Sequence, residues 1–572
     1  MKKVKSLVKR LIGRSASTLQ PVTVDICSKT SSGFVVIGWY LSDQVNALAI
    51  VDNDGNNLES DLTDIQRQDV VAQIGQPAQG FQLIFDTEVA LANIVLVASL
   101  TSGEVKRIPL VFKNAEQFVS PPVEAANGGE LHPIDIHDKA SCEFAIVSST
   151  HIYLAGWADD ASEQISATLI DRKNKSVANI VKQLRIGRRD VQEALAGTTK
   201  LQTGFMLLLE RNDSKAIKQG DLRLTVQLDD TEELTVPVRE IFDVTSEPMN
   251  TLKRLLNAWV PHDPTQLASH GLFRPILEAL YPANKTADVR RVDIGRRIEA
   301  PRASIVIPLY GRYDFMRYQL SHFDRYAEYH DVEILYVVDD PRLNSFVEKL
   351  SKHLRYSIQH PFSVLYLAEN VGFGKANNIA VKHTSSENLV LLNSDVLPSD
   401  DSWLQKMLNV AEQKTTGIVG ARLLFEDDTI QHDGMAPMTL HEYPGLYFND
   451  HPKKGWPKQL VNVSTVLRKM PLLTAACWVM RKEVFTEVGG FDPVYVLGDF
   501  EDSDLCFKAL ALGYTNYICH DAELYHLERQ SQNLVESGHW KHNLTILNAI
   551  TFNEKWKSQI VKIIDAGAAV HE

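Results

Sequence analysis

From residue 303 onward the chain alternates short, continuous apolar runs with segments of helical length, and this alternation restricts the fold more than any other feature. Runs that are apolar on both faces are typical of parallel strands buried between two layers of helices. We therefore predict a doubly wound, mainly parallel α/β sheet that binds its ligands at the carboxyl ends of the strands. The runs span residues 304–307, 334–338, 364–367 and 389–392.

Polar residues follow these runs where the predicted strands end. Acids and amides at such positions can hydrogen-bond a nucleobase and a ribose, and a final carboxylate can hold a divalent cation against a diphosphate. The residues concerned are Pro308 and Tyr310 after the first run, Asp339 and Asp340 after the second, Asn370 after the third, and Asn393, Ser394 and Asp395 after the fourth.

A glycine-rich segment, residues 370–378, leads into a predicted helix and contains Gly372, Gly374 and Asn377. Glycine allows a ligand to approach the backbone closely, and the first N–H groups of a helix point toward such a ligand. The same pattern is typical of an ordinary turn between a strand and a helix. Only the neighbouring acids favour the ligand-binding interpretation.

An acidic segment, residues 498–506, begins a helix that we expect to end near Gly513. Acids in the first turn are stabilised by the helix dipole alone, so their presence does not by itself indicate chemistry. Asp502, however, shares one face of the helix with Leu505 and Ala509, which directs its carboxylate toward the core. A carboxylate in that position binds protons more readily, as a general base requires.

His526 follows the acidic helix within an apolar and aromatic stretch. A single histidine in such a setting is usually a core residue with its hydrogen bonds satisfied. Its position after the acidic helix makes it a candidate metal ligand as well.

Two stretches before residue 250 contain the same residues in the same order, which indicates a duplicated module. Short β-rich runs broken by turn residues predict a small β-sandwich for each copy. A tryptophan in such a module is more often part of the core than a platform for a sugar ring. The shared residues are Gly38-Trp39, 67–70 and Gly80-Phe81 in the first copy, and Gly156-Trp157, 188–191 and Gly204-Phe205 in the second.

The remaining segments complete a multidomain organisation. Apolar residues at helical spacing between 251 and 281 predict a helical connector. The first residues combine an apolar stripe with lysines and arginines, which is typical of a helix on a membrane surface and also of a frayed basic tail. The predicted parts are a basic amphipathic segment at 1–20, β-sandwich-like modules at 21–116 and 136–246, a linker at 117–135, the connector at 247–300, the α/β domain at 301–535 and a helical extension at 536–572.

Net charge, cysteine content and the length of the apolar runs argue against several classes of protein. The formal net charge of −13 argues against a nucleic-acid-binding protein, which needs clustered lysines and arginines. Five scattered cysteines indicate neither a disulfide framework nor a zinc site, and they favour the reducing cytosol. No apolar run approaches the ~20 residues that cross a bilayer. We therefore expect a cytoplasmic location, with peripheral contact to the inner face of the membrane through residues 1–14 as a side hypothesis.

Taken together, the motifs of residues 303–530 resemble those of the inverting family-two glycosyltransferases of the GT-A fold, in particular bacterial rhamnosyltransferase-like members. The resemblance rests on several motifs in the family's order. They are residues 304–308, Asp339-Asp340, the loop 370–378, Asn393-Ser394-Asp395, Gly489-Gly490-Phe491-Asp492, residues 501–506 and His526.

The resemblance implies a role for the donor-site and metal-site residues. Pro308, Tyr310 and Asp339 would border the nucleobase and ribose of a UDP-, dTDP- or GDP-linked sugar. Asp395 would end the metal-binding motif, and His526 would complete the metal site.

The resemblance also implies the reaction. Asp502, with Glu501 beside it, matches the family's acidic pair, whose aspartate deprotonates the acceptor hydroxyl. The implied chemistry is a single displacement that inverts the anomeric configuration, with a metal neutralising the leaving diphosphate. The acceptor would be a polysaccharide, a lipid-linked glycan or another surface glycan.

The sequence departs from the family pattern in two places. The metal motif begins with Asn393, where many relatives carry an acid, and asparagine is a weaker ligand. With one carboxylate and one histidine, we expect loose metal binding in the absence of donor phosphates and a preference for Mn²⁺ over Mg²⁺. The residue after Asp340 is Pro341 rather than the small residue often found there, which alters the expected donor contacts.

Two other functions stay open. A sugar-nucleotide pyrophosphorylase also combines a doubly wound sheet with acidic ligands, but it needs a glycine-rich, basic loop where this chain has residues 308–312. A non-catalytic glycan-binding scaffold with a decayed transferase domain is the second alternative. The presence of Asp395, Asp502 and His526 speaks against such decay.

Overall fold

The computed structural model divides the chain into two compact units. The first comprises Met1–Ala125 with Lys453–Asn462, and the second Ala126–Pro452 with Val463–Glu572. The basic segment 1–20 and the linker 117–135 lie outside the residues that the structure describes. The described residues are 21–30, 33–52, 55–58, 60–65, 77–85, 94–110, 139–159, 162, 164–188, 190–191, 203–228, 232–261, 267, 269–283, 288–440, 442–461, 466–527 and 539–565.

The first unit contains two antiparallel sheets whose inner faces share one apolar core. Val36 and Leu83 reach this core from one sheet, and Ile50 and Leu96 reach it from the other. The strand orders are β1-β2-β5-β4 and β3-β6-β7. The strands are β1 Val22–Thr30, β2 Gly33–Leu41, β3 Val45–Val51, β4 Ser60–Ile65, β5 Ala78–Phe85, β6 Val95–Leu100 and β7 Val105–Pro109.

The second unit begins with seven strands that pair with one another in the same order as the seven strands of the first unit. Strand β14 serves two neighbours, because its residues up to Pro237 pair with β13 and those from Val238 pair in parallel with β8. The strand order is β10-β13-β14-β8-β9-β12-β11. The strands are β8 Ala140–Val147, β9 His151–Ala158, β10 Ser166–Ile170, β11 Ala178–Ile186, β12 Gly204–Arg211, β13 Arg223–Gln227 and β14 Glu233–Asp243.

The repeated Gly-Trp and Gly-Phe pairs occupy the same places in the two modules. Gly38 pairs with Phe81 across β2 and β5, and Gly156 pairs with Phe205 across β9 and β12. In both cases the phenylalanine ring covers the glycine, because an added Cβ would lie 2.8 Å from Phe81 Cζ or 2.6 Å from Phe205 Cζ. In both modules the repeat therefore places a glycine opposite a phenylalanine whose ring packs over it.

The two repeated tryptophans differ in exposure. Trp157 is buried with 1% of its surface exposed. Trp39 lies at an intermediate depth. Trp157 is therefore part of the core, in agreement with the expectation for a tryptophan in such a module.

The region expected to be a helical connector, 247–300, contains two helices and then a strand. Helices α1 Pro248–Asn257 and α2 His270–Leu280 pack their buried leucines and phenylalanine against the second module. The strand, β15 Val289–Ile294, pairs antiparallel with a strand of the α/β sheet. Arg290 and Arg291 anchor this strand to the sheet through Tyr366 and Glu333, and the boundary at 300 stays a prediction.

The α/β region is built on an 11-stranded mixed sheet. Its longest path is β15-β18-β17-β16-β19-β26-β21-β27-β20, with β22 paired to β21 and β25 paired to β27. A separate hairpin joins β23 to β24. The strands are β16 Ala303–Leu309, β17 Val332–Val338, β18 Phe362–Leu367, β19 Asn388–Leu392, β20 Val396–Pro398, β21 Thr416–Leu424, β22 Ile430–His432, β23 Ala436–Thr439, β24 Tyr447–Asp450, β25 Leu467–Lys469, β26 Cys477–Arg481 and β27 Thr515–His526.

The four predicted apolar runs are the strands β16 to β19, and they lie side by side in parallel. Strand β26 then runs antiparallel to both β19 and β21, so the sheet is mixed rather than mainly parallel. Successive residues of β16 face opposite cores, with Val306 in one apolar cluster and Ile305 in the other. Helices therefore cover both faces of the sheet.

The helices of this region separate into two layers. Ala376 of α5 and Leu505 of α8 belong to one apolar cluster, whereas Leu320 of α3, Val347 of α4 and Trp403 of α6 belong to the other. The helices are α3 Phe315–Arg325, α4 Asn344–Leu354, α5 Phe373–Val381, α6 Trp403–Ala411, α7 Lys482–Glu487, α8 Glu501–Ala511 and α9 His539–Asp565. Short 3-10 turns span Ala327–Tyr329 and Pro341–Leu343 in this region, and a third, Lys458–Leu460, belongs to the first unit.

The segment expected to be a C-terminal extension, 536–572, instead contributes to the core. Helix α9 is 27 residues long, and its Leu547, Phe552 and Ile560 are buried in the same cluster as α5 and α8. The apolar face of α9 therefore packs against the α/β region, and the division of the chain at 536 stays a prediction. Among the described helices, none is both long enough and apolar enough to cross a bilayer.

We predict that Gly156→Ala destabilises the second module by about 1–3 kcal/mol, because an added methyl group overpacks the sheet. The new Cβ would lie 2.2 Å from the carbonyl oxygen of Ser141, which belongs to the backbone and cannot rotate away. A fall in the apparent Tm of the full chain would measure the effect. Gly271→Ala is the matched control, since its Cβ would meet only the flexible end of Lys182. Equal melting of the Gly156→Ala variant and the wild type would contradict the prediction.

Candidate active site

Asp339 joins the end of β17 to the glycine-rich loop. Its carboxylate is buried and accepts the backbone N–H groups of Val371 at 2.8 Å and Gly372 at 3.0 Å. Burial raises the pKa of Asp339 to about 7, and the two N–H donors oppose that rise. This carboxylate therefore holds the loop beside the strand end.

Asp340 is buried next to it but has a cationic partner. Arg342 binds both carboxylate oxygens at 2.8 Å, and the N–H of Gly311 donates at 3.2 Å. Burial favours the protonated form, but the Arg342 guanidinium outweighs it and lowers the pKa of Asp340. Arg342 also lies 6.0 Å from the ring of Tyr310, so a cation and an aromatic face border the same strand end.

The glycine-rich loop fits tightly against the segment that leads into α8. Gly372 has a φ of +85°, and an added Cβ would lie 2.8 Å from Leu497 Cα. Gly374 packs against Phe491, which an added Cβ would approach to 3.0 Å. Asn370 accepts the N–H of Gly372 through its side chain at 3.0 Å. Gly372 is therefore required both by its positive φ and by close packing, whereas Gly374 is favoured by close packing alone.

Asn377 differs from its neighbours in this loop. Its side chain is fully buried, and its amide donates to the carbonyl oxygen of Phe373 at 3.0 Å within helix α5. Asn377 is fully buried in this structure, and its contact with a donor stays a prediction. Of the preceding loop residues, Asn370 and Gly374 lie at intermediate depth and Gly372 is buried.

The backbone before α8 adopts an unusual conformation. Leu497, Asp499 and Phe500 have φ values of +62°, +74° and +69°, which residues with side chains rarely adopt. Such conformations persist only where surrounding contacts enforce them, and they cluster at functional sites. They place Glu501 and Asp502 directly at the start of the helix.

Glu501 and Asp502 form an acidic pair with different environments. Glu501 is buried, and its Oε2 atom has no hydrogen-bond partner among the described residues. Burial raises the pKa of Glu501 well above its usual range, and repulsion from Asp502 and Asp499 adds to this. Burial therefore favours the protonated form of Glu501.

Asp502 is only partly buried, and it accepts the N–H of Ser503 at 2.7 Å and the N–H of Ala475 at 3.4 Å. Burial raises the pKa of Asp502 to about 6, while these two donors oppose the rise. Burial raises the pKa of both carboxyls, and the N–H donors of Ser503 and Ala475 make Asp502 the more readily ionised of the two, as an acid–base site requires.

The residues proposed from sequence as metal ligands lie together. His526 Nε2 is 3.4 Å from Asp395 Oδ1, and both side chains are largely buried. Val396 and His526 are paired across β20 and β27, which fixes this contact. Asn393 and Ser394 precede Asp395 in the same turn, at intermediate depth.

The predicted metal ligands and the acidic pair are connected through the residues that precede β26. The N–H of Asn393 donates to the carbonyl oxygen of Ala476 at 2.9 Å, and the N–H of the adjacent Ala475 donates to Asp502. The carboxylates from the fourth strand end and from α8 therefore border one short backbone segment. The sequence had separated them by more than a hundred residues.

The Asp395–His526 pair fits the role of two ligands to one cation. Two ligand atoms bonded to one cation at about 2.1 Å, and roughly 90–110° apart, lie about 3.0–3.4 Å from each other. The observed separation of 3.4 Å falls at the end of this range. Within the described part of the chain, no three His, Cys, Asp or Glu side chains gather closely enough to hold a metal by themselves.

Sequence reasoning missed several residues that shape this site. Asp499 accepts the hydroxyl of Thr545 at 2.6 Å, and the amide of Asn548 bonds to the backbone of residues 496–498. Both partners lie on α9, beyond the last recognisable motif. The sequence feature that could have pointed to these contacts is the set of asparagines in α9, on a face of the helix that is otherwise apolar.

Comparison with known proteins gives a family match for part of the α/β region. Residues 304–489 match the family Glycosyl transferase family 2. The chain is 30% identical over 236 residues to "Uncharacterized protein y4gI" of Sinorhizobium fredii, covering 41% of this chain and 25% of that protein. It is 28% identical over 253 residues to "O-antigen biosynthesis protein RfbC" of Myxococcus xanthus, covering 42% and 18%. The chain thus spans a quarter or less of the length of these relatives.

Solved structures with similar chains are more distant. They include GalNAc-T7 with UDP, GalNAc and Mn²⁺, at 16% identity and a TM-score of 0.34 over 45% of this chain and 49% of that one. The mannosyltransferase PcManGT of Pyrobaculum calidifontis with GDP-Man and Mn²⁺ has 14% identity and a TM-score of 0.29, over 55% and 90%. S. aureus TarS 1–349 has 14% identity and a TM-score of 0.28, over 45% and 73%. The family match therefore covers residues 304–489, less than half of this chain, and within that range the chain is similar to Glycosyl transferase family 2.

Proposed function

We propose that this chain is an inverting glycosyltransferase that moves a sugar from a nucleotide-sugar donor to a hydroxyl of a polysaccharide, lipid-linked glycan or surface glycan. The observation that carries the proposal is that the Asp502 carboxylate, held by the N–H of Ala475, lies beside Ala476, which binds the turn that carries Asp395 and its partner His526. A general base needs a pKa near the working pH and access to its substrate. Asp502, partly exposed, meets both needs.

In this proposal Asp502 removes the proton of the acceptor hydroxyl. The hydroxyl oxygen then forms a bond to the anomeric carbon from the side opposite the nucleotide. The bond between that carbon and the diphosphate oxygen breaks, and the nucleoside diphosphate leaves with the electron pair. Attack from the opposite side inverts the anomeric configuration.

The donor would lie along the strand ends. Pro308, Tyr310 and Asp339 would border the nucleobase and ribose, and the Arg342–Asp340 pair would set the position of the Tyr310 ring beside them. The carboxylate of the buried Asp339 already accepts hydrogen bonds from two backbone N–H groups. It would therefore act mainly by holding the loop at Gly372.

Asp395 and His526 would hold a divalent metal together with oxygens of the donor diphosphate. When bound, such a metal supplies positive charge to the leaving phosphate. With only two protein ligands in contact, the site would bind metal weakly without nucleotide. The nitrogen ligand favours Mn²⁺ over Mg²⁺.

The two N-terminal modules would position the growing glycan, and we propose for them the β-sandwich architecture expected from the repeat. We also propose a rhamnosyltransferase-like donor preference and a cytoplasmic location with peripheral membrane contact through residues 1–14. The motifs and composition described for the sequence support these proposals.

A donor screen tests the function. The full chain is incubated with Mn²⁺ and a panel of UDP-, dTDP- and GDP-sugars, and released nucleoside diphosphate is measured. We expect slow hydrolysis of one donor and thermal stabilisation by the matching nucleoside diphosphate. Nucleotide binding to none of the panel would support the scaffold alternative, and formation of nucleoside triphosphate from donor and pyrophosphate would support the pyrophosphorylase.

We predict that Asp502→Asn lowers turnover of the selected donor by at least about 100-fold, because the amide cannot accept the acceptor's proton. The midpoint of nucleotide titration, followed by thermal shift, should stay unchanged. Asp521→Asn, which neutralises an exposed aspartate of β27, serves as the matched control. Full turnover in the Asp502→Asn variant would refute the assigned role.

Turnover should fall as the pH is lowered through about 6. The base must be ionised, and burial raises the pKa of Asp502 to about 6, so the active fraction is lost below that value and complete well above it. Initial rates of donor hydrolysis between about pH 5 and about pH 8 measure this dependence. A rate independent of pH over this range would exclude a base with such a pKa.

We predict that His526→Ala removes the Mn²⁺-dependent part of nucleotide binding. Stabilisation by a nucleoside diphosphate at about 100 times its Kd amounts to about 2.7 kcal/mol, and most of it should disappear in the variant. Thermal shifts with and without Mn²⁺ provide the measurement. The control is His353→Ala, an exposed histidine of α4. Identical Mn²⁺ dependence in both variants would argue against His526 as a ligand.

A further inference from the structure

Helix α9 carries three buried asparagines at intervals of five residues: Asn543, Asn548 and Asn553. Each turns its side-chain amide toward the backbone of a different segment. Asn543 donates to the carbonyl oxygens of Leu256 at 2.8 Å and Trp259 at 2.7 Å, at the end of α1. Such bonds satisfy backbone groups that would otherwise be buried without partners.

Asn553 and Asn548 make nearly equivalent contacts. Asn553 accepts the N–H of Tyr447 at 2.8 Å and donates to the carbonyl oxygen of the same residue at 2.8 Å. Asn548 accepts the N–H of Val496 at 3.2 Å and donates to the carbonyl oxygens of Val496 at 3.1 Å and Gly498 at 2.5 Å. The two side chains differ mainly in which segment they hold.

The segment held by Asn548 is the one with the unusual backbone. The positive φ values of Leu497, Asp499 and Phe500 follow directly after Val496. A conformation of this kind relaxes unless surrounding contacts enforce it. The amide of Asn548 bonds to both backbone groups of Val496 and to the carbonyl oxygen of Gly498, so it fixes the start of the segment.

The same segment touches both parts of the candidate site. The carbonyl oxygen of Leu497 accepts the N–H of Phe373 at 3.0 Å, in the glycine-rich loop. Three residues after Gly498 the chain reaches Glu501, and then Asp502. A shift at this point would therefore move the acidic pair relative to the donor loop.

Other contacts from α9 hold the flanks. The hydroxyl of Thr545 donates to Asp499 at 2.6 Å. The indole of Trp556 donates to the buried Asp504 at 2.7 Å, and Lys555 pairs with the same carboxylate at 2.6 Å. The first turn of α8 and the segment before it are thus both anchored to α9.

We propose that Asn548 is a positioning residue that holds residues 496–500 in the conformation that aims Asp502 at the acceptor. The inference rests on the proposed role of Asp502 as the base. Asn548 itself contacts backbone groups and not the reacting atoms. Its removal should therefore affect the rate of the reaction more than the binding of the donor.

The test compares Asn548→Ala with Asn553→Ala in the full chain. With the donor selected by the screen and Mn²⁺, Asn548→Ala should lower kcat of hydrolysis about 10- to 100-fold and leave the donor KM within about twofold. Asn553→Ala removes an equally buried amide from the same helix and should leave both constants near the wild-type values. Equal losses of kcat in the two variants would overturn the inference.

Hydrogen exchange gives a second readout that needs no donor. In Asn548→Ala, the backbone amides of residues 496–504 should exchange at least about tenfold faster than in the wild type, while those of Asn553→Ala stay unchanged there. No acceleration in Asn548→Ala would overturn the inference, whatever the activity of the protein.

Thr545→Val keeps the test decisive if Asn548→Ala does not fold. This change removes only the hydroxyl bonded to Asp499, and Thr551→Val is its control, because both threonines also bond to a carbonyl oxygen of their own helix. Thr545→Val should lower kcat severalfold and Thr551→Val should not. Identical kcat values would count against anchoring by α9.

The outcomes also separate this inference from the proposed function. An inactive Asp502→Asn combined with a fully active Asn548→Ala would refute only the positioning role. Full activity of Asp502→Asn would refute the proposed base, while the exchange result would still report on Asn548.

Discussion

The contact between Gly372 and Leu497 is the constraint on which the candidate site depends. The glycine has a positive φ and leaves no room for a Cβ, and its N–H is held by the carboxylate of Asp339. The next residue, Phe373, donates its N–H to Leu497. The end of β17, the glycine-rich loop and the approach to α8 therefore meet at one point, where a side chain would force them apart. This contact brings the glycine-rich loop against the segment that leads to Glu501 and Asp502.

Sequence patterns predicted the parts of this arrangement that local rules determine. Apolar runs located the parallel strands β16 to β19, and the polar residues that follow them do lie at the strand ends. The repeated glycines of the N-terminal modules have a common cause in the phenylalanine that covers each one. The antiparallel strands β15 and β26 escaped prediction because their pairing depends on partners distant in the chain. Apolar periodicity does not encode strand direction.

The role of α9 shows the same limit for the site. Its sequence predicts a helix, but nothing in the spacing of Asn543, Asn548 and Asn553 reveals which backbone groups they meet. Those groups belong to α1, to the segment before α8 and to β24. A buried side-chain amide can be interpreted only when its partners are known, because its effect on stability depends on whether its hydrogen bonds are made. The helix that was expected to extend beyond the domain therefore joins three of its parts.

The four acids around the site also show why residue type alone does not assign chemistry. Asp340 has Arg342 beside it, which lowers its pKa, whereas Asp339 has only backbone donors, so burial raises its pKa. One oxygen of Glu501 has no partner among the residues that the structure describes, and burial raises its pKa, whereas Asp502 has two N–H donors and partial exposure. Adjacent carboxyls in the sequence thus differ in charge because their partners differ. Of the four, Asp502 alone combines a pKa near neutrality with an exposed surface, and this combination is what a base acting on a bound hydroxyl requires.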